Sequence, residues 1–369
     1  MDRSTFERRI GRMQEILKKD GVDMAFFADR NNLIYFTGMT NFECTAIAIP
    51  AEGEPAIGTL WLDAEYIRSQ VPCENVVGYL FPATNLGAKM VEVIKSMGYT
   101  SPRIGFGKYF VEFSVYDALR KGLPDAEFVS IATSSYVVRS VKDADELERI
   151  RRAGEIVVEG MKVAFETVRP GLKEVEVLAE AEHAMRKAGS QGAPFRMQVL
   201  VPERQLLTHP YAGESVIGDN QAIVIHLGAT FEGYVAKMCR TIGLGKVNPE
   251  TERIYNVLLE TRLAAMRAVK PPVPARDVYR AAFDVVEAAG YGREFLEVIG
   301  YGVGIRQSEF YPIISKTGDH VIEKDMVIDI LLSTIYKKDV GGPRVTDTIR
   351  VTDSGVEVLT DFPLEMLHK

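Results

Sequence analysis

Around Ser140 the apolar pattern of the chain changes, and no other feature restricts the possible folds as much. Before it, short apolar runs at residues 24–27, 33–36, 46–49, 55–60 and 76–80 are separated by Gly, Asn and Asp, the punctuation of strands and turns. Phe6, Ile10, Met13, Ile16 and Leu17 precede them at three-and-four spacing, which predicts a helix over residues 6–19 packed on a sheet. Helices at 88–97 and 113–123 and a strand at 103–106 complete an alternating α/β domain, placed at residues 1–136.

After the change, Val141-Lys142-Asp143-Ala144-Asp145-Glu146 opens a long helix, with acidic residues in the first turn where the backbone dipole favours them. Pro170-Gly171 stops it, and a second helix at 174–188 ends at Gly189. Strands are predicted at 197–201, 222–227, 234–239 and 241–244. Helices follow at 252–269 and 275–289, separated by Pro271-Pro272, and strands return at 327–330, 334–336 and 346–351. Two helices then strands, twice over, suggest an internally duplicated α+β domain at residues 137–369. A chain of 369 residues is too long for one ordinary core, in keeping with two domains.

Charge and cysteine content narrow the function. A net charge of −7 argues against a nucleic-acid partner, which would need a basic face. The N-terminus, Met1-Asp2-Arg3-Ser4-Thr5-Phe6, is charged and lacks the apolar core of an export signal, and no run of eighteen apolar residues could span a membrane. Cys44, Cys73 and Cys239 show no CxxC spacing and no disulfide framework. The expectation is a cytoplasmic protein with no nucleic-acid and no membrane partner.

Four local patterns then occur in order: Val138-Arg139-Ser140-Val141-Lys142; His226-Leu227-Gly228-Ala229 followed by Gly233-Tyr234-Val235-Ala236-Lys237-Met238-Cys239-Arg240-Thr241; Gly300-Tyr301-Gly302-Val303-Gly304 running on to Glu309; and Asp325-Met326-Val327 before Gly342-Pro343-Arg344-Val345-Thr346-Asp347-Thr348. Together they resemble the pita-bread superfamily of prolidase, aminopeptidase P and creatinase. Asn32-Leu33-Ile34-Tyr35-Phe36-Thr37-Gly38 resembles the N-terminal domain of the same superfamily, so the resemblance spans nearly the whole chain. It implies an α/β N-terminal domain plus an α+β pita-bread C-terminal domain.

Peptidases of that superfamily hold two divalent metals with two aspartates, a histidine and two glutamates. The resemblance puts the aspartates on His226 and Lys237, the histidine on Tyr301, and the glutamates on or beside Leu331 and on Thr346. An ammonium repels a metal ion and leucine offers no lone pair, so no metal and no cofactor are expected. Creatinase works without a metal, and its catalytic histidine matches His209 in Leu207-Thr208-His209-Pro210-Tyr211. The glutamates with which creatinase holds its substrate fall on Cys239 and near Val345 or Thr346, which argues against creatine itself.

Each candidate has a bland reading beside the functional one. His209 suits proton transfer near neutral pH, or is a surface histidine beside Pro210. Lys237 could supply the charge of the absent metal, or sit at a strand edge, or pair with Glu309. Cys239, two residues along the same strand, could be a thiolate nucleophile lowered by that ammonium, or a small buried hydrophobe. His226 reads as a second acid–base group, a hydrogen-bonding group in a vacated ligand position, or a satisfied core histidine. Tyr301 could donate to an oxyanion or plug the space. Arg306, Glu309 and Arg344 lie near the same pocket by resemblance, and Arg344 could clamp a carboxylate or be a turn residue.

The expectation is a metal-independent, creatinase-like hydrolase or lyase acting on a C–N bond of a small polar, carboxylate-bearing substrate. His209, Lys237 and Cys239 would be its catalytic residues, and His226, Tyr301, Arg306, Glu309, Arg344 and Phe42 would contact the substrate. The alternative is an inactive scaffold on the same fold, and a third reading is an Xaa-Pro-type metallopeptidase. Creatinase-like relatives imply a homodimer in which Met39-Thr40-Asn41-Phe42-Glu43-Cys44 of one copy faces the pocket of the other.

Overall fold

The computed structural model describes residues 1–107, 112–207, 209–332 and 335–369. The chain separates into two compact units, Met1–Arg139 and Ser140–Lys369.

In the first unit the helix Arg3–Asp20 starts where the Asp2 carboxylate accepts the Thr5 N–H at 2.8 Å, and stops at Gly21 with φ 63°. A six-stranded sheet runs in the order Asn75–Tyr79, Ala56–Leu60, Ala46–Pro50, Met24–Phe27, Arg103–Phe106, Glu127–Ser130. Met24–Phe27 is antiparallel to Ala46–Pro50 and parallel to Arg103–Phe106, so the sheet is mixed. Phe26, Ala48, Met90, Ile94 and Leu119 lie in the core between sheet and helices.

The strand predicted at 33–36 is instead the helix Arg30–Thr37, with Asp29 capping the Asn32 N–H at 3.1 Å and Gly38 closing it at φ 72°. Its residues from Asn32 to Thr37 are all buried, and a short apolar run buried on every side carries no period to tell helix from strand. The helix Trp61–Gln70 was not predicted; Trp61, Leu62 and Tyr66 are exposed and only Ala64 and Ile67 are buried, so its apolar face is faint.

In the second unit two helix pairs cover two sheets. Ala144–Thr167, opened by a capping box between Asp143 and Glu146, and Glu174–Lys187 pack on a four-stranded sheet ordered Leu367–His368, Tyr234–Leu244, Gln221–Phe231, Gln198–Leu200. Ile156, Met161, Val177, Ile225 and Met238 fill that interface. Pro249–Ala268 and Ala275–Ala288 pack on a five-stranded sheet ordered Glu309–Ser315, Val298–Gly302, Val327–Ile330, Asp347–Val351, Val356–Val358, over Leu258, Val278, Ile299, Ile328 and Ile349. Among the bonds that join the two sheets, Cys239 and Thr346 exchange backbone hydrogen bonds of 3.0 and 3.1 Å.

Two strand readings change here, and a glycine-rich stretch joins a strand. The segments 234–239 and 241–244 are one strand, Tyr234–Leu244, because Arg240 is a buried member of it. Its guanidinium donates to Asp347 Oδ1 at 2.8 Å, while Arg262 donates to Asp347 Oδ2 at 2.8 Å, so a shared carboxylate holds the charge of Arg240 inside the core. The glycine-rich stretch at 300–304 belongs to a hairpin of Val298–Gly302 and Glu309–Ser315, where a Cβ on Gly300 would stand 2.3 Å from the Asp329 carbonyl oxygen. Of the strand predicted at 334–336, Thr334 lies outside the described residues and Ile335 makes only an isolated bridge with Phe295. Among the described residues no helix is long and apolar enough to cross a membrane.

Candidate active site

A cavity of about 760 Å³ opens in the second unit where the two sheets meet. Gln198, His226 and Lys237 reach it from the four-stranded sheet, and Val298, Tyr301 and Phe310 from the five-stranded one.

Lys237 is the buried centre of its wall. Its side chain is 1% exposed, and Nζ lies 2.5 Å from Asp329 Oδ2, itself 0% exposed, and 3.4 Å from the Ser308 hydroxyl. Asp329 Oδ1 accepts the Tyr301 N–H at 2.5 Å, so one carboxylate ties together strands from both sheets. Burial pushes the Asp329 carboxyl up, and the adjacent ammonium opposes that shift. Of the alternatives for Lys237 the ion pair named Glu309; the ion-pair partner is instead Asp329, which no motif marks because it sits inside the apolar run Val327–Ile330.

His226 lies in register with Cys239 on the neighbouring strand and packs on Phe195, ring centroids 4.7 Å apart. Its Nε2 is sealed from solvent and has no hydrogen-bond partner. Burial, then Lys237 and Arg344, hold its pKa well below the ordinary 6.5, so the imidazole is neutral at physiological pH. Burial, with the nearby Asp329 charge, raises the Tyr301 phenol.

Arg344 is 5% exposed; it donates to Gln198 Oε1 at 3.0 Å and to the Gln205 carbonyl oxygen at 2.8 Å, and lies over the Tyr336 ring. Gln205 also donates to the Ala222 carbonyl oxygen at 2.7 Å and accepts the Gly342 N–H at 3.1 Å, locking this corner. The segment that carries His209 is held at its ends. Buried Glu174 accepts the Val201 N–H at 2.9 Å and the Gly213 N–H at 3.0 Å, and pairs with Arg204. His209 itself is exposed at the cavity.

The structure therefore brings His209, His226, Lys237, Tyr301, Arg306 and Arg344 together in one cavity. Three predicted site residues are not among the residues that line it. Cys239 packs with Leu200 and Val224, and burial pushes its thiol up to about 12, the opposite of an activated thiolate. It alternates with Lys237 along the strand, yet it is fully buried and does not line the cavity. Buried Glu309 turns back on its own hairpin, where Oε1 accepts the Arg306 N–H at 3.3 Å. Phe42 belongs to the first unit, with its ring 6.0 Å from the Arg30 guanidinium.

The metal pair implied by the resemblance does not fit these residues. Leu331 is fully buried and has no donor, and the Thr346 hydroxyl is spent on the Leu331 carbonyl oxygen at 2.8 Å. Lys237 brings a positive charge into the place of a ligand and occupies the neighbouring carboxylate. Among the described residues, no three His, Cys, Asp or Glu side chains gather to hold a metal ion.

Residues 148–353 match metallopeptidase family M24, and residues 9–141 match the Creatinase/Prolidase N-terminal domain. A Bacillus subtilis protein named "Putative dipeptidase YkvY" is 29% identical over 362 residues, 97% of this chain and 99% of its own. An Xaa-Pro dipeptidase from Bacillus anthracis superposes with a TM-score of 0.91 at 26% identity, covering 99% of this chain and 100% of that one. A prolidase from Pyrococcus horikoshii gives a TM-score of 0.87 at 26% identity over 98% and 100%. These relatives overturn the expectation of a metal-independent creatinase-like hydrolase, since they are named as dipeptidases and prolidases. The lost ligands do not make the chain kin to creatinase, because losing a donor set does not assign a chain to the branch that also lacks one. Carried on a pita-bread fold behind a creatinase/prolidase-type N-terminal domain, the chain belongs to metallopeptidase family M24.

Proposed function

We propose that this chain acts as a peptidase on dipeptide-sized substrates seated in the cavity of its second unit. The observation that supports this most is the seat: about 760 Å³ with Lys237 anchored in its wall, in a chain similar over nearly its whole length to proteins named as dipeptidases. Small-molecule sites occupy roughly 300–1,000 Å³, so this one has room to seat a dipeptide. Water adds to a substrate carbonyl that Lys237 orients and polarises; His209 takes the proton of that water and returns it to the leaving amine as the C–N bond breaks, giving a carboxylate and an amine for one water consumed. The finer expectations of a cytoplasmic location and a homodimer belong to this proposal and rest on the resemblance; sedimentation of the full chain at micromolar concentration reads the assembly.

The test is an assay of the full chain against Xaa-Pro and other dipeptides, following released amino acids by chromatography, with and without added Mn²⁺. Turnover of at least one dipeptide, lost in both His209→Ala and Lys237→Met, is the expected result. No cleavage of any dipeptide under either condition would overturn the reading.

A further inference from the structure

The cavity wall is one-sided in charge. Arg196, Lys237, Arg306 and Arg344 line it with two imidazoles, and none of the described lining residues is an aspartate or glutamate. Asp329 lies behind Lys237 and neutralises it. Arg344 has no such partner. Its guanidinium is buried, its two hydrogen bonds go to the neutral oxygens of Gln198 and Gln205, its Nε is sealed from solvent without an acceptor, and it forms no ion pair among the described residues. A buried cation held only by neutral groups is costly, and a countercharge relieves it. His226 stands near enough for Arg344 to depress its pKa, and its unpartnered Nε2 is a second polar atom waiting at the same corner.

We infer that the cavity is built for an anionic, N-blocked ligand, an N-acyl amino acid or N-acyl dipeptide, with its carboxylate on Arg344 and no seat for a free ammonium. The inference rests on the peptide-type substrate proposed above and narrows its class. An ordinary dipeptide is a zwitterion, and its α-ammonium needs a carboxylate or several well-placed acceptors once it leaves water. This wall offers it cations instead. An acyl cap removes the charge and supplies apolar surface for Phe195, Tyr211 and Phe310, which share the cavity.

Calorimetric titration of the full chain with Gly-Leu, N-acetyl-Gly-Leu and N-acetyl-Gly-Leu-amide separates the possibilities. The expected order has N-acetyl-Gly-Leu tightest, with the free dipeptide and the amide each weaker by about tenfold or more, the scale of one unpaired buried charge. Arg344→Gln should remove the advantage of the carboxylate over the amide, and Arg344→Lys should restore part of it. Because the wild-type comparison needs no variant, an Arg344→Gln protein that fails to fold leaves the test intact. Binding of Gly-Leu as tight as or tighter than N-acetyl-Gly-Leu overturns the inference while the dipeptide reading stands. Binding of none of the three overturns both.

Discussion

Lys237 Nζ and Asp329 Oδ2 stand 2.5 Å apart with both side chains closed to solvent, and the other oxygen of that carboxylate holds the Tyr301 backbone. The pair therefore fixes three strands from two sheets at the floor of the cavity. Removing one member of a buried pair leaves an uncompensated charge, which costs roughly 3–5 kcal/mol, whereas removing both costs much less. Urea unfolding of Lys237→Met, Asp329→Leu and the double variant should show each single change as more damaging than the double. Single losses near the ~1 kcal/mol of a surface pair would show that the two groups are hydrated.

Metal content follows from the same pair. With an ammonium beside the one carboxylate and Leu331 in place of a donor, Mn²⁺, Co²⁺ and Zn²⁺ have no set of ligands here. Elemental analysis after dialysis should find less than one equivalent of any of them per chain, and adding them should leave the melting temperature unmoved. A stoichiometric ion that Asp329→Asn abolishes would show that the cavity holds a metal after all.

The neutral state of His226 makes the fold sensitive to acid. Its pKa in the folded chain lies below the ordinary 6.5, so as pH falls the unfolded chain takes up a proton first. The stability it allows is fully present above about 6.5 and drains away below it, by up to roughly 1.4 kcal/mol per pH unit. His226→Gln should flatten the curve of unfolding free energy between pH 6.5 and 5, measured in urea at each pH. Parallel curves for the two proteins would mean that His226 ionises in the folded state as it does in the unfolded one.

Thiol chemistry separates the three cysteines. Cys44 is exposed, while Cys73 and Cys239 are buried with their thiols pushed up to about 11 and about 12. An alkylating reagent at pH 8 should label the native chain at Cys44 and reach the other two only after unfolding, as read by peptide mass spectrometry. Cys239→Ala should keep its turnover and lose only the packing of a small side chain, on the order of 1 kcal/mol. Rapid native labelling of Cys239 would restore it as a candidate nucleophile.

Much of this protein was legible along the chain. Helix starts such as Asp143 with Glu146 are local chemistry, settled within four residues, and the long strands announce themselves by apolar content. The order of the four motifs sufficed to place the fold, and the exchange of aspartate for Lys237 and glutamate for Leu331 could be read position by position. What distance along the chain concealed was who faces whom. Lys237 and Asp329 are 92 residues apart, and an aspartate within Val327–Ile330 looks like a flaw in a strand until the ammonium that it meets is known. Cys239 and Lys237 alternate alike on one strand, yet only Lys237 reaches the cavity, while Cys239 is packed away with Leu200 and Val224. Local propensity and pattern act over a few residues and so are written in the sequence. Pairing of buried charges, the depressed pKa of His226 and the one-signed wall around Arg344 arise from desolvation and proximity, which exist only once the chain has folded.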